Sequence, residues 1–244
     1  MKNWIIDNLK TLFYALILAI IIRSFLFQPF YIPSSSMEPT LLPGDRIFVS
    51  KYTYGYSKHS FPFSPNIFGG RFFFNKPQRG DIIVFKTPAD NRTDYIKRLI
   101  GLPGDTIQFI DSELYLNSKK INKERYESSN KVYCGDDILN VNFYKEFLSK
   151  ESYYNIAYKK RGTLANTNKF VVPEKHYFFM GDNRDCSKDS RFLGSVGYVS
   201  YENIIGKARI IFFSNNVLEG RFLEFWKWKK SLNYERFFKK IKWI

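Results

Sequence analysis

Histidine is nearly absent from this 244-residue chain, which has only His59 and His176. Cysteine is as scarce: Cys134 and Cys186 are the two present, and no CxxC pair occurs. These shortages exclude the usual zinc signatures and leave few side chains that titrate near neutral pH. No metal and no cofactor are therefore expected. The two cysteines could pair in an oxidising compartment, but nothing in their spacing demands it. Acidic residues are outnumbered, with 23 Asp and Glu against 38 Lys and Arg, a formal net charge of +15. Such a surplus suits nucleic acid, an anionic membrane or acidic partners. The Lys, Asn, Ile and Tyr richness runs through the whole chain, so compositional drift accounts for much of it, and no nucleic-acid partner is expected. Aromatics are not lacking: 25 Phe and 17 Tyr mark a globular chain.

Long apolar runs are also missing, with one exception. Residues 11–22, TLFYALILAIII, carry no charge; Arg23 interrupts, and SFLFQPFYI continues to residue 32. About 20 helical residues cross a bilayer's hydrocarbon core, and 11–32 supplies that length. Lys2 and Lys10 precede the run as in a cleavable signal peptide, but no small-x-small cleavage site follows it. A buried globular helix is a third reading. We read residues 1–32 as a cytoplasmic start and an uncleaved transmembrane anchor. Lys2 and Lys10 place the N-terminus on the cytoplasmic side and the remaining domain outside.

Beyond the anchor, short apolar runs broken by Gly, Pro and Asp predict a mainly β, antiparallel-sheet domain. Strands are expected at 46–49, 81–86, 95–100, 106–110, 113–116, 170–172, 177–180 and 207–213, with turns at the PGD and RGD tripeptides. Residues 118–169 show no clear apolar periodicity and are expected to form an inserted α+β or irregular cap. The β-rich domain is thus assigned to 33–117 and 170–220. The last segment, 221–244, interleaves eight Lys/Arg with Phe222, Phe225, Trp226, Trp228, Phe237, Phe238 and Trp243. It suits either an interfacial helix on anionic headgroups or a solvated helix whose aromatics pack back on the domain.

Two elements carry candidate chemistry. PSSSMEPTLLPGD, 33–45, begins where the apolar run ends, so a reactive serine there would sit at the membrane surface. Most serine clusters are linkers or caps. In DYIKRLIGLPGD, 94–105, strand alternation puts Tyr95, Lys97 and Leu99 on one face and Ile96, Arg98 and Ile100 on the other. Lys97 could thus be pressed into an apolar environment, although an exposed strand lysine is far commoner, and Arg98 is expected to point away from it.

Together these elements resemble the type I signal peptidase (bacterial leader peptidase) family. Its blocks appear in order as PSSSMEPTLLPGD, RGDIIVFK at 79–86, YIKRLIGLPGD at 95–105 and GDNRDCSKDSRFLG at 181–194, followed by GYVSYENIIGKA at 197–208. The resemblance implies a serine endopeptidase with a Ser-Lys dyad, one of the variants of serine catalysis. Ser36 would be the nucleophile and neutral Lys97 its general base. Ser34 would donate to the oxyanion beside the Ser36 N–H, and Ser187 would orient Lys97. Asp182, Arg184, Asp189 and Arg191 would support the loop behind the dyad, with Asp189 pairing Arg184. Cys186 stands where the family usually has Asn.

By the same resemblance the substrates are preprotein signal peptides, cleaved after an Ala-x-Ala-like site. Met37, Leu41, Tyr95 and Ile32 would line the pocket before the scissile bond, and Phe30, Val84 and Ile96 the pocket two residues upstream. Strand edges near 81–86 and 32–34 would receive the extended substrate. The implied location is the bacterial inner (plasma) membrane, single-pass, with the catalytic domain on the periplasmic or outer face and phospholipid as a partner. Two other readings stay open: a Ser-Lys processing protease of a secretion or conjugation system, and a membrane-tethered binding or assembly module with a protease-like fold.

Overall fold

The computed structural model describes residues 2–66, 68–135, 137–148, 152–159, 164–220 and 222–242. The helix α1 (Lys2–Ile21) runs into a π-turn, Ile22–Leu26. Together they form an apolar stretch, Trp4–Leu26, long enough to cross a membrane. The anchor therefore ends earlier than residue 32. Residues 27–31 leave the helix to form β1 (Phe27–Tyr31), which alternates between exposed and half-buried side chains. Pro29 explains the switch, since proline breaks a helix interior but is tolerated in an edge strand.

β1 pairs antiparallel with β2 (Asp45–Ser50). β3 (Ile82–Lys86) and β4 (Asp94–Gly101) make the next antiparallel pair. β5 (Thr106–Ile110), β6 (Glu113–Leu116) and β7 (Lys119–Lys120) form a small meander. β8 (Lys123–Cys134), β9 (Asp137–Phe147) and β10 (Tyr153–Tyr158) form a separate three-stranded antiparallel sheet. β11 (Phe170–Val171) joins β5, β12 (His176–Met180) returns to β4, and β13 (Val199–Ser200) pairs with β12. β14 (Ile204–Ser214) fills the place between β2 and β3, and β15 (Lys239–Lys240) adds to β14. The main sheet runs β1-β2-β14-β3-β4-β12-β13.

Every expected strand is present, and the reason is clearest in β3. Its IIVF run is buried on both faces. Ile82 and Val84 enter one core with Met37, Leu41, Val49 and Ala208, while Ile83 and Phe85 enter another with Leu99 and Phe179. Each PGD tripeptide closes on itself. The Asp45 and Asp105 carboxylates accept the N–H groups of Leu42 and Leu102, and Gly44 and Gly104 take the left-handed conformation that a β-carbon disfavours. Because β3 lies between β14 and β4, the expected free edge at 81–86 does not exist. The open edges are β1 and the first half of β4, whose residues 94–97 pair with β3 alone.

The insertion is not irregular. Residues 123–158 are mostly sheet, with a small core of Val132, Val141 and Ala157. β8 is largely exposed and its pairing with β9 shifts register between residues 125 and 130, so the sequence shows no steady apolar alternation. A covalent tie and a buried ion pair are among the links that bind it to the domain. Cys134 and Cys186 form a disulfide, and Glu146 pairs with Arg184, both fully buried. The C-terminal segment, too, is not one helix. It breaks into one-turn pieces and β15. Phe222, Trp228 and Phe237 pack back onto Phe213, with Arg46 stacked over Phe222, whereas Phe225, Trp226 and Phe238 stay exposed. Trp243 lies outside the described residues.

Truncating Glu146 would leave Arg184 charged and unpaired in the interior. Glu146→Ala is expected to cost about 3–5 kcal/mol in urea unfolding, whereas Lys120→Ala, which removes the exposed partner of Glu113, should cost under about 1 kcal/mol.

Candidate active site

The site begins where β1 ends. Ser34 is extended, and residues Ser35–Met37 make a single 3₁₀ turn that buries Ser35, Ser36 and Met37. The turn is pinned by the Ser36 carbonyl, which accepts the Asn183 N–H at 3.1 Å, and by the Leu41 N–H donating to Met37 O at 2.9 Å. The Ser35 hydroxyl donates to the Tyr133 carbonyl, so the insertion touches the residue before the nucleophile candidate. Among the described residues the Ser36 N–H donates to nothing.

Lys97, at the middle of β4, is 3 % exposed and places Nζ 2.6 Å from Ser36 Oγ. Its second hydrogen bond goes to the Ile96 carbonyl at 3.0 Å, and its amine lies 5.3 Å from the centre of the Tyr95 ring. Among the described residues no carboxylate bonds it. Burial lowers its pKa to about 8; Asp189 and Asp182 pull the other way and Arg191 adds to the lowering. Ser34 Oγ stands 3.3 Å from Ser36 Oγ. The two serines and the lysine thus meet, as expected. Ser187 is buried behind them, but it forms no hydrogen bond with Lys97.

The supporting charges are arranged differently from the expectation. Asp189 pairs with Arg191 at 2.8 and 2.9 Å and accepts the Gly181 N–H. It does not pair with Arg184, which is held by Glu146 and Tyr154. The true partner comes from the insertion, and nothing local in the sequence could have named it. Burial would raise the Asp189 pKa, but Arg191 holds it below the ordinary value. Asp182 binds the Arg98 guanidinium through two 2.7 Å bonds and accepts the Thr40 hydroxyl. Arg98, read as pointing away, does leave the dyad's face, but into the interior, where it also donates to Gly80 O.

Gly181 opens the GDNRDCSKDSRFLG block. A β-carbon there would collide with the Ser187 side chain and the Ser36 carbonyl. Only glycine lets the loop 181–194 approach the Ser35–Met37 turn this closely.

Phe30, Ile32, Val84, Tyr95 and Ile96 line a cleft of about 370 Å³ that also takes in Ser34, Ser36 and Lys97. Met37 and Leu41, expected in the same pocket, are fully buried in the core beneath it. Both walls of the cleft are open strand edges: the end of β1 on one side and the first half of β4 on the other.

The buried amine is a stability liability. The unfolded lysine holds its proton up to about pH 10.5 and the folded one to about pH 8, so the penalty is complete below pH 8 and fades as pH rises through 10.5. Lys97→Met is therefore expected to stabilise the fold by about 3 kcal/mol at pH 7 and by little at pH 11, read by denaturant titration. Glu38 behaves conversely. Burial raises its pKa to about 7, against Arg236 and with Asp45, so stability should fall as pH rises from about 4.5 to 7. Glu38→Gln should raise Tm at pH 8 and leave it unchanged at pH 4.

Residues 5–213 match the family model described as signal peptidase, peptidase S26. The signal peptidase I of Rickettsia typhi is 42% identical over 93% of this chain and 90% of its own length. That of Rickettsia akari is 44% identical over 84% and 78%. A solved signal peptidase I from Enterococcus faecalis is 31% identical, covering 55% of this chain and 97% of that one, with a TM-score of 0.33. This chain belongs to the signal peptidase family, peptidase S26.

Proposed function

We propose that this chain is a serine endopeptidase that removes signal peptides from exported preproteins, with Ser36 as nucleophile and Lys97 as general base. The observation that carries the reading is the 2.6 Å contact between a buried, carboxylate-free amine and Ser36 Oγ at the floor of an apolar cleft. A neutral lysine takes the Ser36 proton as Oγ attacks the scissile carbonyl carbon. The resulting oxyanion is received by the unused Ser36 N–H and the Ser34 hydroxyl, fixed donors that need no reorganisation. The lysine ammonium then protonates the leaving amine, which frees the mature chain and leaves an acyl ester on Ser36. Water, deprotonated by the regenerated neutral lysine, attacks that ester; Ser36 recovers its proton and the signal peptide departs as an acid.

The substrate would enter as an extended strand between β1 and the open half of β4, adding main-chain hydrogen bonds to both. Phe30, Ile32, Val84 and Ile96 then leave room for small side chains near the cut, which suits an Ala-x-Ala preference. Such pockets discriminate by about 1–3 kcal/mol per methylene. We place the N-terminus on the cytoplasmic side and the catalytic domain on the outer face of the plasma membrane, because Lys2 and Lys10 precede the apolar helix.

Ser36→Ala and Lys97→Ala are each expected to abolish cleavage of a precursor by detergent-solubilised protein, and variants that cleave like the parent would overturn the dyad. For the parent, kcat/KM should fall about tenfold per pH unit below pH 8, where the lysine is charged. Ser34→Ala should lower kcat by about 10²–10³ with KM little changed.

A further inference from the structure

A second cavity, of about 400 Å³, opens beside the domain end of the apolar helix. Arg23 lines it from the π-turn, three residues before the span ends at Leu26. Arg92 and Lys86 line it from the β3–β4 hairpin, and His59 and Phe63 from the loop that wraps the helix end. That wrapping is fixed by Tyr56, whose hydroxyl donates to the Phe25 carbonyl, and by edge contacts of Phe25 with Tyr56 and Phe61.

The charges in this cavity do not balance. Lys86 is paired with Asp94 at 2.8 Å and also donates to the Arg92 carbonyl. Asp90 accepts the N–H groups of Arg92 and Thr93 and the Thr93 hydroxyl, not a guanidinium. Among the described residues neither the Arg23 nor the Arg92 guanidinium has a hydrogen bond or ion pair. The field of these cations is felt nearby. Lys51, buried and bonded to Ser60 O, is lowered to about 8 by burial and then by Arg23, with Lys86 contributing. His59 is lowered to about 4 by burial, then by Lys58, Lys86 and Arg71. Phe63 is fully exposed at the cavity's rim.

We infer that this cavity binds the phosphodiester of an anionic phospholipid, with Arg23 and Arg92 as its ligands. Guanidinium groups match phosphate oxygens with paired, charge-assisted hydrogen bonds, and basic pockets at helix ends are suited to anionic headgroups. Position selects a lipid over a soluble phosphate. The cavity lies at the depth where the helix leaves the hydrocarbon, so acyl chains can run along the exposed apolar face of α1 and against Phe63. The same hairpin supplies Thr93 and Asp94 to the substrate cleft, so a bound headgroup would steady one wall of that cleft.

The test uses full-length protein carrying Ser36→Ala, so that lipid binding is read without turnover and stands whether or not the protease reading holds. Native mass spectrometry from detergent would count retained phosphatidylglycerol, phosphatidylcholine and inorganic phosphate. The parent should retain one phosphatidylglycerol in preference to the other two, and Arg23→Gln/Arg92→Gln should retain about tenfold less or lower still. Lys239→Gln/Lys240→Gln, which removes the same charge at β15, should retain as much as the parent. Equal retention by the Arg23/Arg92 variant, equal loss in the β15 variant, or occupancy by inorganic phosphate matching the lipid would each overturn the proposal. With Ser36 restored, a fall in kcat/KM in lipid-free detergent on Arg23→Gln/Arg92→Gln, with lipid retention unchanged, would also overturn it and make the cavity a reader of acidic substrate.

Discussion

Two adjacent residues of one strand carry buried cations that the fold must treat in opposite ways. Arg98 stays charged because Asp182 grips it through two bonds. On the proposed mechanism Lys97 works neutral, which requires that no such grip hold it. The carboxylates whose fields reach it are Asp189 and Asp182, and each is already saturated, one by Arg191 and the other by Arg98. On that reading the arginines do more than brace a loop: Arg191 and Arg98 neutralise the two acids whose fields reach the amine. Buried ion pairs seldom add net stability over an apolar substitute. Here they keep two carboxylates away from a third group.

This arrangement accounts for how the site is assembled. The Ser35–Met37 turn follows an edge strand, Lys97 sits at the inner end of the open half of β4, and the loop 181–194 carries the acids behind both. Asn183 fastens that loop to the Ser36 carbonyl, and Gly181 lets it approach. The insertion closes the frame from outside by contributing Glu146 to Arg184 and Cys134 to Cys186. What seemed an appendage in the sequence supplies partners for Arg184 and Cys186 of that loop and for Ser35.

Most of the sheet was legible because its strands are short apolar runs bounded by PGD and RGD turns, a pattern fixed by local chemistry. Ser36, Lys97 and Ser34 were legible because ordered motifs carried them. Other features depend on distant pairings. No local signal shows that Glu146 meets Arg184, that Cys134 meets Cys186, or that Met37 and Leu41 face the core and not the cleft. The insertion differs from the expectation because β8 is largely exposed and its register against β9 shifts, which breaks the alternation by which strands are recognised. The anchor's end was misplaced because Phe27, Pro29 and Tyr31 are as apolar as the helix they follow, though they belong to an edge strand.

That edge strand has a further consequence. β1 follows the π-turn directly, and its backbone is stitched to β2 along its whole length, so helix and nucleophile are joined by a stiff strut. Ser36 is ten residues beyond Leu26, and ten extended residues reach at most about 35 Å. On the proposed function, the chain would hold Ser36 at a set height above the bilayer. It acts as a ruler as much as a blade: a peptide bond can be cut only if its own tether brings it to that height.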